Sequence, residues 1–403
     1  IIDGIWQGNL SLGGEEIRIV FHITLNTDET LTAAMDSPDQ GAFGLPADKV
    51  AFENGSVYLE VNSGFIIYEG NITEEGQTIE GLLKEPKMGV SLPLTLDRVE
   101  QAPVLNRPQE PKGPYPYDVE EVVYENEKAG VKLAGTLTLP RSAGPHPAVL
   151  LISGSGPQNR DEEVYGHHIF WVLADYLTRQ DIAVLRVDDR GVGGSTGDFS
   201  QATSEDFAGD ALAGVEFLKG RVEIDPGQIG LIGHSEGGMI APMVAAQSPD
   251  VSFIVMMAGP GLPGADLLQL QSDLILRALG VSEETIAVNS SLQEQVFNVV
   301  KQEKDPAAAE RKLREIITSE VEKMSEKDKE VLGYQSPESV EAQIQQVLSP
   351  WLSYFITYDP RPALMQVKVP VLAINGEKDL QVPPKENLGA VEEALKAGGN
   401  KQY

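Results

Sequence analysis

The sequence predicts an α/β protein: a mostly parallel central sheet with helices on both faces, interrupted by a helical cap insertion and preceded by an all-β barrel or sandwich domain. Three observations carry this. From Pro147 onward, short apolar runs alternate with helical patterns, the signature of a parallel sheet covered on both faces. Residues 1 to about 100 hold only short alternating or β-branched runs cut by Gly, Asn and Asp turns, which reads as strands without helices. Within the region from Pro147 onward, Gln228-Ile-Gly-Leu-Ile-Gly-His-Ser-Glu-Gly-Gly238 runs from an apolar strand through a tight turn into a helical pattern.

The elements follow in order. Ile17–Leu25, Ser56–Val61 and Phe65–Tyr68 are the clearest early strands, and several short strands that must hide their edges suggest a small barrel or sandwich. Met35–Gly41 reads as a polar loop, and His22, within a strand pattern, as a structural residue. Residues 101–118 form a linker; 101–117 contain five prolines and read as extended and semi-rigid. Val119–Tyr124 and Val131–Leu139 form an antiparallel hairpin leading into the main sheet. Ala148–Ile152 is a buried strand, a helix runs from about Gly166 to Gln180, and Ile182–Val187 is the next strand. Thr203 or Ser204 caps a helix on which Phe207, Ala211, Val215 and Leu218 share a face. Ser252–Met257 and Val369–Ile374 are later strands of the sheet. Residues 262–351 are helical and rich in mixed charge, too long for a loop, and should form a cap over the C-terminal edge of the sheet. Leu313, Ile316, Ile317, Val321 and Met324 recur there at helical spacing; core contact is the default reading and an acyl pocket the alternative. The domain boundaries are then 1–100, 119–261 with 352–403 for the α/β core, and 262–351 for the cap.

The 403 residues carry a net charge of 31 − 61 = −30. That argues against a nucleic-acid partner and an anionic membrane surface, and fits a solubilising acidic shell. No apolar run reaches the roughly 20 residues of a membrane span. There is no cysteine, so disulfides, thiolate nucleophiles and Cys-based metal sites are ruled out. The lack of cysteine and the start at Ile1 fit export after removal of a signal peptide; otherwise the chain is cytoplasmic. Composition leaves the oligomeric state open.

The chemistry centres on Gly233-His-Ser-Glu-Gly237, with the G-x-S-x-G spacing of a nucleophile elbow. Ser235 stands on a strained turn where side chains two residues either side would collide, and Gly233 and Gly237 remove those collisions. The helix that follows offers its dipole and free N–H groups to developing negative charge. His234 is read as a packing residue. A Ser hydroxyl needs a base oriented by a carboxylate; Asp379, just past a strand at the same sheet edge, is the candidate acid and Glu377 its rival. The oxyanion donors are expected to be the N–H of Glu236 and that of Ser155 or Gly156; Pro157 has none. The five histidines are His22, His146, His167, His168 and His234. None follows Asp379, so the catalytic base is expected beyond Tyr403, with His167 or His168 as the alternative. No metal or cofactor is called for.

Gly233–Gly238, Asp188-Asp-Arg-Gly-Val-Gly-Gly-Ser195, Gly154–Pro157 and Gly376-Glu-Lys-Asp-Leu-Gln-Val-Pro383 together resemble the α/β-hydrolase superfamily. Within it the chain is similar to bacterial carboxylesterases with a β-rich N-terminal domain, an EstD-like group. The resemblance implies hydrolysis of short-chain acyl esters by a Ser-Asp-His triad without cofactor, the small ester being the only partner. The alternatives are a serine peptidase or amidase of prolyl-oligopeptidase-like type, and a non-catalytic binding protein.

Overall fold

A computed structural model describes residues 2–12, 15–28, 30–61, 64–85, 90–103, 107–164 and 166–403. The chain divides into two compact units, Ile1–Glu110 with Glu163–His168, and Pro111–Glu162 with Ile169–Tyr403.

The first unit is built on eight strands: β1 (Gly4–Leu12), β2 (Glu15–Leu25), β3 (Leu31–Ser37), β4 (Ala42–Glu53), β5 (Ser56–Val61), β6 (Ile66–Ile72), β7 (Thr78–Glu85) and β8 (Val90–Val99). Each pairs antiparallel with the next, and β1 returns to β8 through Ile5↔Val99, Trp6↔Arg98 and Gln7↔Asp97. Of the two expected architectures the barrel is therefore the one formed. Closure leaves no free edge. Ile19, Phe21 and Ile23 alternate inward along β2, as a period of two requires. The interior is filled by Trp6, Phe21 and Tyr68, all fully buried. Tyr68 can be buried because its hydroxyl donates to the Ile79 and Leu94 carbonyls, 3.1 Å each. Met35–Ser37, read from sequence as loop, finishes β3, and only Pro38–Gln40 turns, as a single 3-10 helix. The strand is favoured there because Asp36 accepts from Gly44 N and pairs with His22 Nε2 at 2.6 Å. A two-stranded ribbon, β12 (Glu163–Val164) and β13 (His167–His168), completes this unit.

The second unit has seven strands in the order β17-β16-β15-β11-β14-β10-β9. Here β9 is Asp118–Asn126, β10 Val131–Leu139, β11 His146–Ile152, β14 Ala183–Val187, β15 Ile224–His234, β16 Val251–Met257 and β17 Val371–Ile374. The β9–β10 hairpin is antiparallel and joins β14 antiparallel; β14, β11, β15, β16 and β17 are parallel. Leu150, Leu185, Leu231 and Ile254 bury one face of this sheet against α2 (Ser204–Lys219) and α3 (Glu236–Gln247). Val149, Val184 and Ile232 bury the other against α1 (Ile169–Thr178). This is the α/β-hydrolase fold. α1 is shorter than the spacing predicts, because Gly166 and the histidine pair belong to the ribbon. Thr203 caps α2 in a capping box with Asp206.

After β16 the chain leaves the sheet through α4 (Gly264–Ala278), α5 (Glu283–Gln302), α6 (Pro306–Val321), α7 (Glu326–Leu332), α8 (Pro337–Val347) and α9 (Pro350–Thr357). These helices share a hydrophobic core of their own, in which Leu313, Ile317 and Met324 are buried and Ile316 and Val321 are partly buried. Met239 of α3 joins Leu267 and Phe355 in a smaller cluster, which fixes α4 and α9 to the helix behind Ser235. α10 (Arg361–Gln366) and α11 (Pro384–Ala397) flank β17. Among the described residues no helix is long and apolar enough to cross a membrane.

Candidate active site

Parallel strands bring the candidate residues to one edge. His234, Met257 and Ile374 are aligned across β15, β16 and β17. Ser235 and Asn375 therefore begin their loops two strands apart, roughly 10 Å. Ser235 N–H donates to Met257 O and Ala258 N–H to Ile374 O, so the register persists into the loops.

Ser235 has φ 51 and ψ −117, a conformation that costs a non-glycine residue on the order of 1–3 kcal/mol. The glycines around it explain how this turn closes. A Cβ on Gly233 would lie 2.0 Å from Gly237 O, and one on Gly237 would lie 2.1 Å from Ile152 O. Neither neighbour can yield, since both are backbone. α3 starts at Glu236, directly after the serine, so the free N–H groups of its first turn stand at the hydroxyl's side of the sheet.

The loop after β11 lies against the elbow through Gly154, where a Cβ would sit 3.2 Å from Ser235 Cβ and 3.5 Å from His234 Nδ1. The Gly154 N–H is already committed, donating to Glu162 Oε1 at 2.6 Å. Ser155 is exposed and its carbonyl accepts from Gln158 Nε2; Gly156 has φ +90, a backbone open to glycine. Both follow Gly154 on the same loop.

Glu162 is the residue that sequence reading missed. It is 1% exposed, has φ 46, and its Oε1 accepts from Gly154 N–H and lies 2.8 Å from His234 Nδ1. One carboxylate oxygen thus ties the loop after β11 to the elbow. His234 is consequently more than a packing residue: its ring is bonded to a buried acid. Burial works against its charged form, but the hydrogen bond and charge of Glu162, with the charge of Asp379, outweigh this and raise its pKa. That influence also places Asp379 within electrostatic reach of the elbow.

Asp379 is half-buried, and its Oδ1 accepts from Gln381 N and Val382 N, both at 2.9 Å. It holds its own loop with one oxygen and offers Oδ2 to another donor. Glu377 is exposed on the same loop. The other histidines are disposed as follows. His22 pairs with Asp36, His167 with Arg107 and His168 with Glu110, while His146 begins β11, at the opposite end of that strand from Ile152.

The Asp188–Ser195 segment ties the neighbouring loops together. Asp188 accepts from Arg160 and from Gly194 N–H. Asp189 accepts from Ser153 Oγ at 2.7 Å and Gln158 N at 2.9 Å, and Arg190 grips Asp210 of α2. Sequence showed this stretch only as a likeness; its role is to set the loop after β11. Glu236, 2% exposed, accepts from Ser204 Oγ and from Trp351 Nε1, the latter at 2.9 Å to either oxygen. Trp351 lies in α9, so the residue after Ser235 is bonded to the helical insertion.

Burial dominates the titration of these acids. It raises Glu236, against the hydrogen bonds from Ser204 and Trp351, and pushes Asp189 up to about 7, helped by the charges of Glu236 and Glu162. The folded value for Asp189 lies above its ordinary 3.8, so the folded state holds this proton more tightly. Its stabilising contribution is complete below about pH 4 and is lost as pH rises through about 7. Asp189→Asn abolishes this titration. The stability advantage of the wild type over Asp189→Asn should therefore shrink between pH 5 and pH 8, measured by urea unfolding. An advantage that stays constant across that range would show that Asp189 is already ionised at pH 5.

Residues 129–400 match the model of the X-Pro dipeptidyl-peptidase (S15) family. The chain belongs to this family. Among curated relatives, this S15 chain is 31% identical over 232 residues to Esterase EstD of Thermotoga maritima, covering 56% of this chain and 55% of that protein. It is 32% identical over 136 residues to an uncharacterized protein of Mycobacterium tuberculosis, covering 34% and 44%. The S15 chain thus spans about half the length of the curated relatives it matches. A solved structure of the Pyrococcus furiosus esterase Pf2001 aligns with 17% identity and TM-score 0.41, over 70% of this chain and 79% of that one.

Proposed function

We propose that this protein is a serine hydrolase, a carboxylesterase acting on short-chain acyl esters. Ser235 Oγ attacks the ester carbonyl, and its proton passes to a histidine base oriented by Asp379. The tetrahedral oxyanion is held by the N–H of Glu236 and of Ser155 or Gly156. Collapse expels the alcohol, which takes the proton, and water then hydrolyses the acyl-enzyme by the same steps in reverse. The observation that carries this reading is the backbone of Ser235, strained at φ 51 between two glycines at the start of α3, with Gly154 packed on its Cβ. The likeness to EstD supports the ester as substrate.

The family match favours a second reading, a peptidase releasing dipeptides that end in proline. The two are separated by measuring kcat/KM on p-nitrophenyl acetate, butyrate and decanoate beside X-Pro-p-nitroanilides. The esterase reading expects turnover of the short esters at least about a hundredfold above any anilide. A kcat/KM on an X-Pro anilide equal to that on butyrate would overturn it in favour of the peptidase.

A further inference from the structure

The helical insertion lines a cavity of about 440 Å³, partly open to solvent, between α4, α5, α6, α7, α8 and α9 and the turn after α7. That is far larger than the voids of a packed core and lies within the range of small-molecule sites. Its wall is unlike the surrounding chain. The protein has 31 basic and 61 acidic residues, and the insertion is dense in both, yet none of the 18 residues lining this cavity is charged. Leu292, Val296, Phe297 and Ile317 form its apolar floor. Tyr334 in the wall stays neutral, burial having pushed its phenol up to about 12.

The polar groups in the wall are mostly matched to one another. Asn289 Nδ2 donates to Ser272 Oγ at 2.9 Å, and Gln343 Nε2 donates to the Leu332 and Gly333 carbonyls. One is unmatched: Gln293 Oε1 is buried and has no hydrogen-bond partner among the described residues. An acceptor left so is destabilising, and so is an apolar wall left wet. A single ligand relieves both if it has an apolar chain, no charge and one hydrogen-bond donor to which the Gln293 amide can turn its oxygen.

We propose that this cavity is a binding site for an uncharged, medium-chain amphiphile carrying a hydroxyl or amide N–H, the Gln293 amide turning its buried Oε1 to the donor and the chain lying along the Leu292–Phe297 face. Charged chains are disfavoured because the wall offers no counter-charge to a carboxylate or ammonium. The ligand binds and is not consumed, so the site is independent of Ser235 chemistry.

The test uses the full chain carrying Ser235→Ala, which prevents turnover, and the neutral dye Nile red as reporter. Displacement is measured with 1-decanol, decanoate and decylammonium. Decanol should displace the dye at a concentration at least tenfold below either charged chain. Ile275→Trp, at a half-buried position of the wall, should abolish dye and decanol binding. Gln293→Leu should weaken decanol about fivefold or more while leaving the dye bound. Equal competition by decanoate or decylammonium would overturn the proposal, as would decanol binding unchanged by Ile275→Trp, which would place the alcohol elsewhere. Should Ile275→Trp lose its fold by circular dichroism, Gln293→Leu decides: unchanged decanol affinity in that folded variant refutes the site.

Discussion

Ser235→Ala should lower kcat on p-nitrophenyl butyrate by about 10⁶-fold and abolish labelling by an organophosphonate ester. The size follows from the part this hydroxyl plays. Without it no acyl-enzyme forms, and what remains is the oxyanion site acting on water, which by itself retains roughly 10³–10⁴-fold over the uncatalysed reaction. Alanine introduces no new strain, since serine already sits at φ 51, so the variant should fold and its loss should be chemical. Labelled peptides must contain Ser235. A phosphonate adduct on a different serine, or turnover within tenfold of wild type, would show that the elbow is only a turn.

Asp379→Asn should be the next most damaging change, lowering kcat by about 10⁴-fold with little change in stability. The asymmetry of the side chain makes this a clean test. Oδ1 caps the loop through Gln381 N and Val382 N, and an asparagine keeps that oxygen. Only the second oxygen changes, from an acceptor that can orient an imidazole to an amide donor that cannot. A structural role alone would survive the substitution; a role in orienting the base would not. The control is Glu377→Gln on the same loop. If that variant loses activity while Asp379→Asn retains it, the acid of the triad is Glu377.

What the sequence displays and what it conceals differ by range. The elbow is legible because its strain is encoded locally: two glycines, a serine, an apolar strand before and a helix after. The parallel sheet is legible for the same reason, each strand announcing its own burial. The choice between barrel and sandwich is not, since it depends on Ile5 meeting Val99 across the whole domain. Glu162 gives no local signal, because its meaning lies in Gly154 and His234, and His234 is 72 positions away. Trp351 reaches Glu236 from 115 positions along the chain, and its indole is indistinguishable in sequence from a core aromatic. Asp188 and Asp189 look alike in sequence, yet one is paired to Arg160 and held below its ordinary carboxylate value, while the other is buried and raised.

The bond from Trp351 to Glu236 also sets how the helical insertion can move. Swinging α9 away would strip a fully buried carboxylate of its indole donor and leave it the Ser204 hydroxyl in a dry site, which is costly. Phe355 and Leu267, packed on Met239, resist the same displacement. The insertion is therefore pinned at both its entry and its exit, like a clasp riveted at two ends. Because α5 to α8 share one core with α4 and α9, any wide opening of the insertion pulls on the helix that presents Ser235.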